Sequence, residues 1–250
     1  MSLSFSIITV TYNASKVLDK TILSVISQTH NNIEYILIDG GSKDGTQDII
    51  KRHETQISYW ASEPDKGLYD AMNKGLRAAT GDYVCFLNAG DVFKNEHSVA
   101  EIAKVAKKNT MPDIIYGETD LIDEYGSVFA ERRLRAPEHL TWRSFKMGML
   151  VCHQAFIVKR NIAPEYDLQY RFSADFDWCI RCMKRATTIV NSKIRMINYQ
   201  YEGATTNNRK ISLKERYNIM CKYYGTIPTQ IRHLWFAVRF YYAKIFKKNS

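Results

Sequence analysis

Along the first hundred residues two hydrophobic rhythms alternate. Short continuous apolar runs at Phe5 to Val10, Ile33 to Ile38, Ile57 to Ala61 and Tyr83 to Leu87 read as buried strands. Between them Leu18, Ile22 and Val25, and then Leu68, Met72 and Leu76, recur at helical spacing, so each crossover has one apolar face to lay on a sheet. Strand and helix in regular succession indicate βα units with parallel pairing, not a sandwich or a helical bundle.

Beyond about residue 110 the rhythm loosens. "DIIYGE" and "VCHQAFIVK" read as strands, and "LIDEYGSVFAERR" as a hairpin about Tyr125-Gly126. "SADFDWCIRCMKRA" reads as a helix with Ser173 as N-cap, and "TTIV" and "KIRMINYQY" as two further strands. From Ser212 onward the chain reads as helical, rich in aromatic and basic residues. The expected fold is α/β, a mostly parallel central sheet flanked by helices, with a mixed second half and C-terminal helices. We divide it into residues 1–110 and 111–210, two halves of one domain, and a helical tail at 211–250; a chain of 250 residues can build one sizeable core of this kind.

Composition narrows the setting. No apolar run is long enough to span a bilayer, and the opening "SFSIITV" lacks the layout of a signal peptide. Five cysteines, an odd number scattered through predicted core elements, argue against a disulfide framework and for a reducing cytoplasm. Cys179 and Cys182 form a C-x-x-C with no second pair, which reads as helix packing ahead of metal or redox use. The net charge of +9 favours acidic partners such as nucleotides, nucleic acid or anionic lipid. Dispersed basic residues, without zinc-finger spacing or an RNA-binding aromatic motif, turn the reading away from nucleic acid.

Two loops carry candidate chemistry. "DGGSKDGT" follows the second strand and precedes a helix, and "FLNAGD" follows the fourth, ending on a lone carboxylate, Asp91. In an open α/β sheet the carboxyl ends of the strands form the ligand crevice. Neither loop is a phosphate-binding G-x-x-x-x-G-K-[ST] or a dinucleotide G-x-G-x-x-G, and each could be a plain turn.

Taken in order, "SIITVTYNASKVLDKTILSVISQTHNNIEYILIDGGSKDGTQDII" and "SEPDKGLYDAMNKGLRAATGDYVCFLNAGD" resemble the family 2 glycosyltransferases, inverting enzymes with the GT-A fold. The resemblance is close over the first hundred residues, weaker through "HQAFIVKR" and "SADFDW", and says little about the tail. It implies that Thr9, Tyr12, Asn13 and Asp39 bind the nucleotide of a nucleoside diphosphate sugar, with Tyr12 stacking on the base. It places Asp65, Lys66, Asn73 and the neighbouring Lys74 beside the diphosphate. "FLNAGD" stands where the family carries a D-x-D type cluster; Asn88 and Gly90 replace common carboxylates, leaving Asp91 to hold a divalent cation, Mg2+ or Mn2+. "SAD" stands where the family has an E-D type motif, making Asp175 the general base and Asp177 the alternative. His153 and Gln154 fall in a segment that can line the donor or acceptor pocket.

The implied activity is transfer of a hexosyl or N-acetylhexosaminyl group, with inversion, from a donor of UDP type to a hydroxyl of a glycan or lipid-linked acceptor in bacterial surface polysaccharide biosynthesis. A nucleotide-sugar-binding protein without catalysis is the alternative. The tail "QIRHLWFAVRFYYAKIFKK" sets Leu234, Val238, Tyr241 and Ile245 near one helical face, with Arg232, Arg239, Lys244, Lys247 and Lys248 for charge and Trp235 and Tyr242 suited to an interface. It reads equally as a peripheral contact on the inner face of the plasma membrane, as packing on the body, or as the seam of a homodimer.

Overall fold

A nine-stranded sheet organises the computed structural model, which describes residues 3–123, 125–200 and 208–246, without the side chains of 237 and 239–246. The strands are β1 (Phe5–Thr11), β2 (Ile33–Asp39), β3 (Tyr59–Ser62), β4 (Tyr83–Phe86), β5 (Val92–Phe93), β6 (Ile114–Ile122), β7 (Val128–Glu131), β8 (Phe156–Lys159) and β9 (Ile189–Gln200). Their order is β3-β2-β1-β4-β8-β6-β9-β5, with β7 paired to β6. β3, β2, β1 and β4 run parallel; β8 is antiparallel to β4 and β6, β9 is parallel to β6, and β5 is antiparallel to β9. The helices are α1 (Leu18–Ile26), α2 (Thr46–Arg52), α3 (Leu68–Ala78), α4 (Ser98–Lys108), α5 (Ala174–Arg185), α6 (Arg209–Tyr224) and α7 (Thr226–Phe246).

Alternate residues of β1 point to opposite faces, as the period of two requires. Ile8 and Val10 join Met72 and Leu76 of α3 and Trp178 of α5. Phe5 and Ile7 join Leu18, Ile22 and Val25 of α1. Burial on both faces explains why β1, β2 and β4 read as continuous apolar runs. Gly75 of α3 lets the helix sit close to the sheet, since a Cβ there would fall 2.4 Å from Cγ2 of Ile8.

Several boundaries differ from expectation. The third strand starts at Tyr59, after a 3-10 turn at Glu54–Gln56. In "VCHQAFIVK" a 3-10 turn at His153–Ala155 precedes β8. The two strands expected in "TTIV" and "KIRMINYQY" are one, β9, kinked where Lys193 takes φ 59° and the register against β6 shifts. The Ser192 hydroxyl donates to the Tyr116 carbonyl (2.8 Å), tying the kink down. The hairpin forms as expected, with Gly126 at φ 90° and Asp123 Oδ1 accepting from the N–H groups of Tyr125 and Ser127.

Ser173 occupies the N-cap position of α5 without capping it; its hydroxyl faces Ser212 of α6 (2.9 Å), and Asp175 Oδ1 accepts the Phe176 N–H (2.9 Å) instead. Cys179 and Cys182 are buried in α5 with thiols pushed well up by burial, and no group of three or more His, Cys, Asp or Glu suited to a metal occurs among the described residues. Lys247 and Lys248, and the side chains of Arg239, Tyr241, Tyr242, Lys244 and Ile245, lie outside the described residues.

Candidate active site

The carboxyl ends of β1, β2 and β3 release three loops that are laced to one another. The Ser42 hydroxyl donates to Asp39 Oδ1 (2.5 Å) and accepts the Asn13 N–H (2.7 Å). Asn13, held at φ 48°, accepts the Lys43 N–H on its Oδ1 (3.1 Å). Asp44 accepts the N–H groups of Ser15 and Thr46 and the Thr46 hydroxyl, bonds that hold its carboxyl well below the usual range. Asp39 is fully buried, and its Oδ2 also takes the Ser42 N–H (2.9 Å) and the Ser62 hydroxyl (2.6 Å). Above this lattice stand Tyr12, 66% exposed, and Asp65, on either side of Gly40. A Cβ on Gly40 would come within 2.6 Å of Asp65 Oδ2 and 3.2 Å of the Tyr12 ring, so a side chain here would push Asp65 from its place.

The turn after β4 supplies the next group. Asp91 N–H closes the turn onto the Asn88 carbonyl (3.0 Å), and Gly90 takes φ 101°. Asp91 is buried; Gln154 Nε2 donates to its Oδ2 (2.7 Å) and the Gln200 N–H to its Oδ1 (3.0 Å). Burial pushes this carboxyl up to about 7, against the downward pull of those two bonds. Asn88 Oδ1 is buried with no hydrogen-bond partner among the described residues. An orphaned amide oxygen and a carboxylate on one short turn are hard oxygen donors, and they fit a divalent cation that completes its shell from phosphate and water.

The second half of the chain contributes Asp175, in the first turn of α5. Its Oδ1 accepts the Tyr69 hydroxyl of α3 (3.1 Å) and the Phe176 N–H, and its side chain is partly exposed. Burial and the charge of Asp175 keep the Tyr69 phenol protonated well past its ordinary range, so it serves as donor. Burial pushes the Cys152 thiol and the Tyr199 phenol up, and the charges of Asp91 and Asp175 add to the rise at both. By geometry, Gln154 holds Asp91 (2.7 Å), and the adjacent His153 connects through Tyr166 and Tyr69 to Asp175. Arg132 opposes those charges at both; its guanidinium is held by the carbonyls of Leu134, Met149 and Leu150. A cavity of about 450 Å³ lined by Leu121, Glu131, Arg132, Arg133, Leu134 and Tyr199 opens there.

Behind Tyr69 the ring of Tyr166 stacks on it and on Trp178, with centroids 5.5 and 5.0 Å apart. His153 lies in this aromatic cluster, its Nε2 bonded to the Tyr166 hydroxyl (2.6 Å), and burial pushes the imidazole down to about 4. A histidine buried neutral is protonated more readily in the unfolded chain, whose value lies near 6.5. Its contribution to stability is present above that value and lost as pH falls to about 4, roughly 3 kcal/mol over the window. Urea titrations at stepped pH should therefore show a flatter stability profile for His153→Gln than for wild type between these limits. Parallel profiles would contradict the assignment.

Several expected site residues have other work. Thr9 is drawn into the core, its Oγ1 accepting the Tyr35 hydroxyl (3.2 Å); the strand-end threonine is Thr11, whose buried Oγ1 has no partner among the described residues. Asn73 is buried and spends its amide on the Tyr166 backbone, donating to the carbonyl (3.0 Å) and accepting the N–H (2.6 Å). Lys74 bridges Glu63 (2.9 Å) and the Pro64 carbonyl (3.1 Å). Lys66, by contrast, keeps an exposed side chain, while its backbone N–H bonds Asp70 Oδ2 (2.9 Å) at the start of α3. Asp177, the alternative base, is fully buried among Arg181 (2.5 Å), Tyr223 (2.8 Å) and Lys222 (3.3 Å), fastening α5 to α6. Tyr69, Gln200 and Arg132 are additions that the motifs did not single out; Tyr69 alone sits inside one, "GLYDAMNKG".

The sequence model of "Glycosyl transferase family 2" matches residues 6–165. The chain belongs to that family. A PGL/p-HBAD biosynthesis glycosyltransferase of Mycobacterium bovis is 31% identical over 214 residues, 81% of this chain and 79% of that protein. An uncharacterized glycosyltransferase of Mycobacterium tuberculosis is 33% identical over 183 residues, 70% of this chain and 67% of that protein. Among solved structures, S. aureus TarS 1-349 in complex with UDP superposes with a TM-score of 0.69 at 15% identity over 88% of this chain and 66% of that one, so this chain spans slightly less than two thirds of the TarS fragment. A mannosyltransferase of Pyrobaculum calidifontis in complex with GDP-Man and Mn2+ superposes with a TM-score of 0.62 at 15% identity, over 87% of this chain and 63% of that one. The fold of this family 2 glycosyltransferase is therefore GT-A, with the mixed strands β8, β6 and β9 extending the parallel half.

Proposed function

We propose that this glycosyltransferase moves a sugar, with inversion, from a UDP-linked donor to a hydroxyl of a glycan or lipid-linked acceptor during surface polysaccharide assembly at the cytoplasmic face of the membrane. The observation that carries the reading is the connection of Asp91, after β4, and Asp175, at the start of α5, to one segment: Gln154 donates to Asp91 (2.7 Å), and the neighbouring His153 bonds Tyr166, which stacks on the Tyr69 that donates to Asp175 (3.1 Å). TarS solved with UDP-GlcNAc, and the mannosyltransferase solved with GDP-Man, support a nucleoside diphosphate sugar as donor.

Tyr12 offers an exposed ring on which the base stacks, over loops that Asp39 and Asn13 hold in place. The diphosphate lies toward Asp65, Lys66, Asn88 and Asp91. A divalent cation held by Asp91 and Asn88 would neutralise charge on the diphosphate leaving group. Asp175 accepts the proton of the acceptor hydroxyl while its oxygen bonds the anomeric carbon and the bond from that carbon to the phosphate oxygen breaks. The electron pair of the broken bond leaves with the nucleoside diphosphate. The 450 Å³ cavity by Arg132 and Tyr199 receives the acceptor.

Slow hydrolysis of an α-linked UDP-sugar, with water as acceptor, tests this reading. Proton NMR should find the β-anomer first; first release of the α-anomer would contradict inversion. Tyr69 acts on the base by aiming it. Tyr69→Phe should lower kcat roughly tenfold, about one hydrogen bond to a charged group, with donor KM and melting temperature nearly unchanged. A parallel rise in donor KM would instead assign Tyr69 to donor binding.

A further inference from the structure

Helix α7 carries an exposed apolar face that the chemistry leaves unused. Ile227, Ile231, Leu234, Trp235 and Val238 of α7 are each between 53 and 70% exposed. Their spacing puts all five on one stripe about 100° wide. The opposite side of the helix is seated on the protein. Thr229 is buried, Phe236 packs against the core, and His233 lies edge-on to Tyr217 and Phe236. Arg232 Nη1 reaches Met147 Sδ (3.5 Å). That packing turns the stripe outward, and an apolar face of this extent on a folded surface marks an interaction site.

Charge selects the occupant. Between residues 208 and 250 Glu215 is the one acidic residue, against ten lysines and arginines. Glu215 itself is engaged by the N–H groups of Arg171 and Phe172. A second copy of the same face would bring two basic segments together, whereas an anionic surface complements them. Trp235 adds an indole suited to the boundary between headgroup and acyl chain. No helix among the described residues is long and apolar enough to cross a membrane.

We propose that α7 lies flat on an anionic lipid surface, its stripe of Ile227, Ile231, Leu234, Trp235 and Val238 sunk into the acyl boundary beneath headgroups that the basic segment attracts. The inference rests on how the helix is seated and not on the transfer chemistry. The full chain should co-sediment with phosphatidylglycerol vesicles, and at least tenfold less with phosphatidylcholine vesicles. The double variant Ile231→Glu, Leu234→Glu should lose at least tenfold in partition to phosphatidylglycerol while keeping its melting temperature, because both positions are already exposed. Wild type that ignores phosphatidylglycerol vesicles, or a variant that binds them as well as wild type, overturns the proposal. So does a dimer in sedimentation velocity that the variant dissociates, which would make the stripe a seam between copies. Nucleotide binding, measured alongside, reads the proposed function separately: its loss with vesicle binding intact would count against the transfer reading alone.

Discussion

Asp175→Asn should cut glycosyl transfer by about 100- to 10,000-fold while donor affinity stays within about twofold of wild type. Asparagine keeps one amide oxygen, and one oxygen, Oδ1, takes both bonds that fix this side chain, from Tyr69 and from the Phe176 N–H. The side chain therefore remains aimed; what disappears is the capacity to take a proton. Transfer kinetics and donor calorimetry on the same preparation check the claim. Near-normal transfer by a folded variant would remove Asp175 from the chemistry. Asp177 could not replace it, since its carboxylate is buried in bonds to Arg181, Lys222 and Tyr223. Equal loss of transfer and of donor binding would make Asp175 a structural acid of the first helical turn.

Asp91→Asn should weaken donor binding in the presence of Mn2+ by on the order of 100-fold, because it removes the one carboxylate of the "FLNAGD" turn. In EDTA the two proteins should bind donor with similar, weak affinity, since the difference belongs to the cation. The substitution also leaves one oxygen for two donors, Gln154 Nε2 and the Gln200 N–H, so one of those bonds is lost. Relief of a buried charge offsets that loss, and the fold should survive. Wild-type binding and transfer that are indifferent to EDTA would sink the cation and leave lysine or arginine to neutralise the diphosphate.

How much of this was legible beforehand depended on where the information resides. Three of the four parallel strands, β1, β2 and β4, and the helices between them are local: runs buried on both faces, crossovers with one apolar stripe. β5 is two residues long and exists through its pairing with β9, a partner a hundred residues away. The single strand β9 follows β6 through its kink, so its continuity belongs to the partner. α4 carries a local signal as well, since Val99, Ile102, Ala103 and Ala106 keep helical spacing. Within the site, residues at element ends such as Tyr12, Asp91 and Asp175 could be found from motifs. Thr9 and Asn73 could not be sorted, because burial and a partner 93 residues along the chain decide what Asn73 does. Gln200, which holds Asp91 from 109 residues away, left no local signal at all.

A nucleoside diphosphate sugar should bind over the strand ends of β1 to β3 with its base on Tyr12. Asp39 is a poor probe, because its carboxylate holds the loops together and its loss would disturb the fold. Tyr12 is a clean one, with most of its surface in solvent. Titration of UDP into wild type and Tyr12→Ala by calorimetry, with Mn2+ present, should give saturable binding for wild type and a loss of about 1–3 kcal/mol, roughly 5- to 150-fold, for the variant. Equal affinities, or no heat from UDP, GDP or dTDP with wild type, would contradict the account.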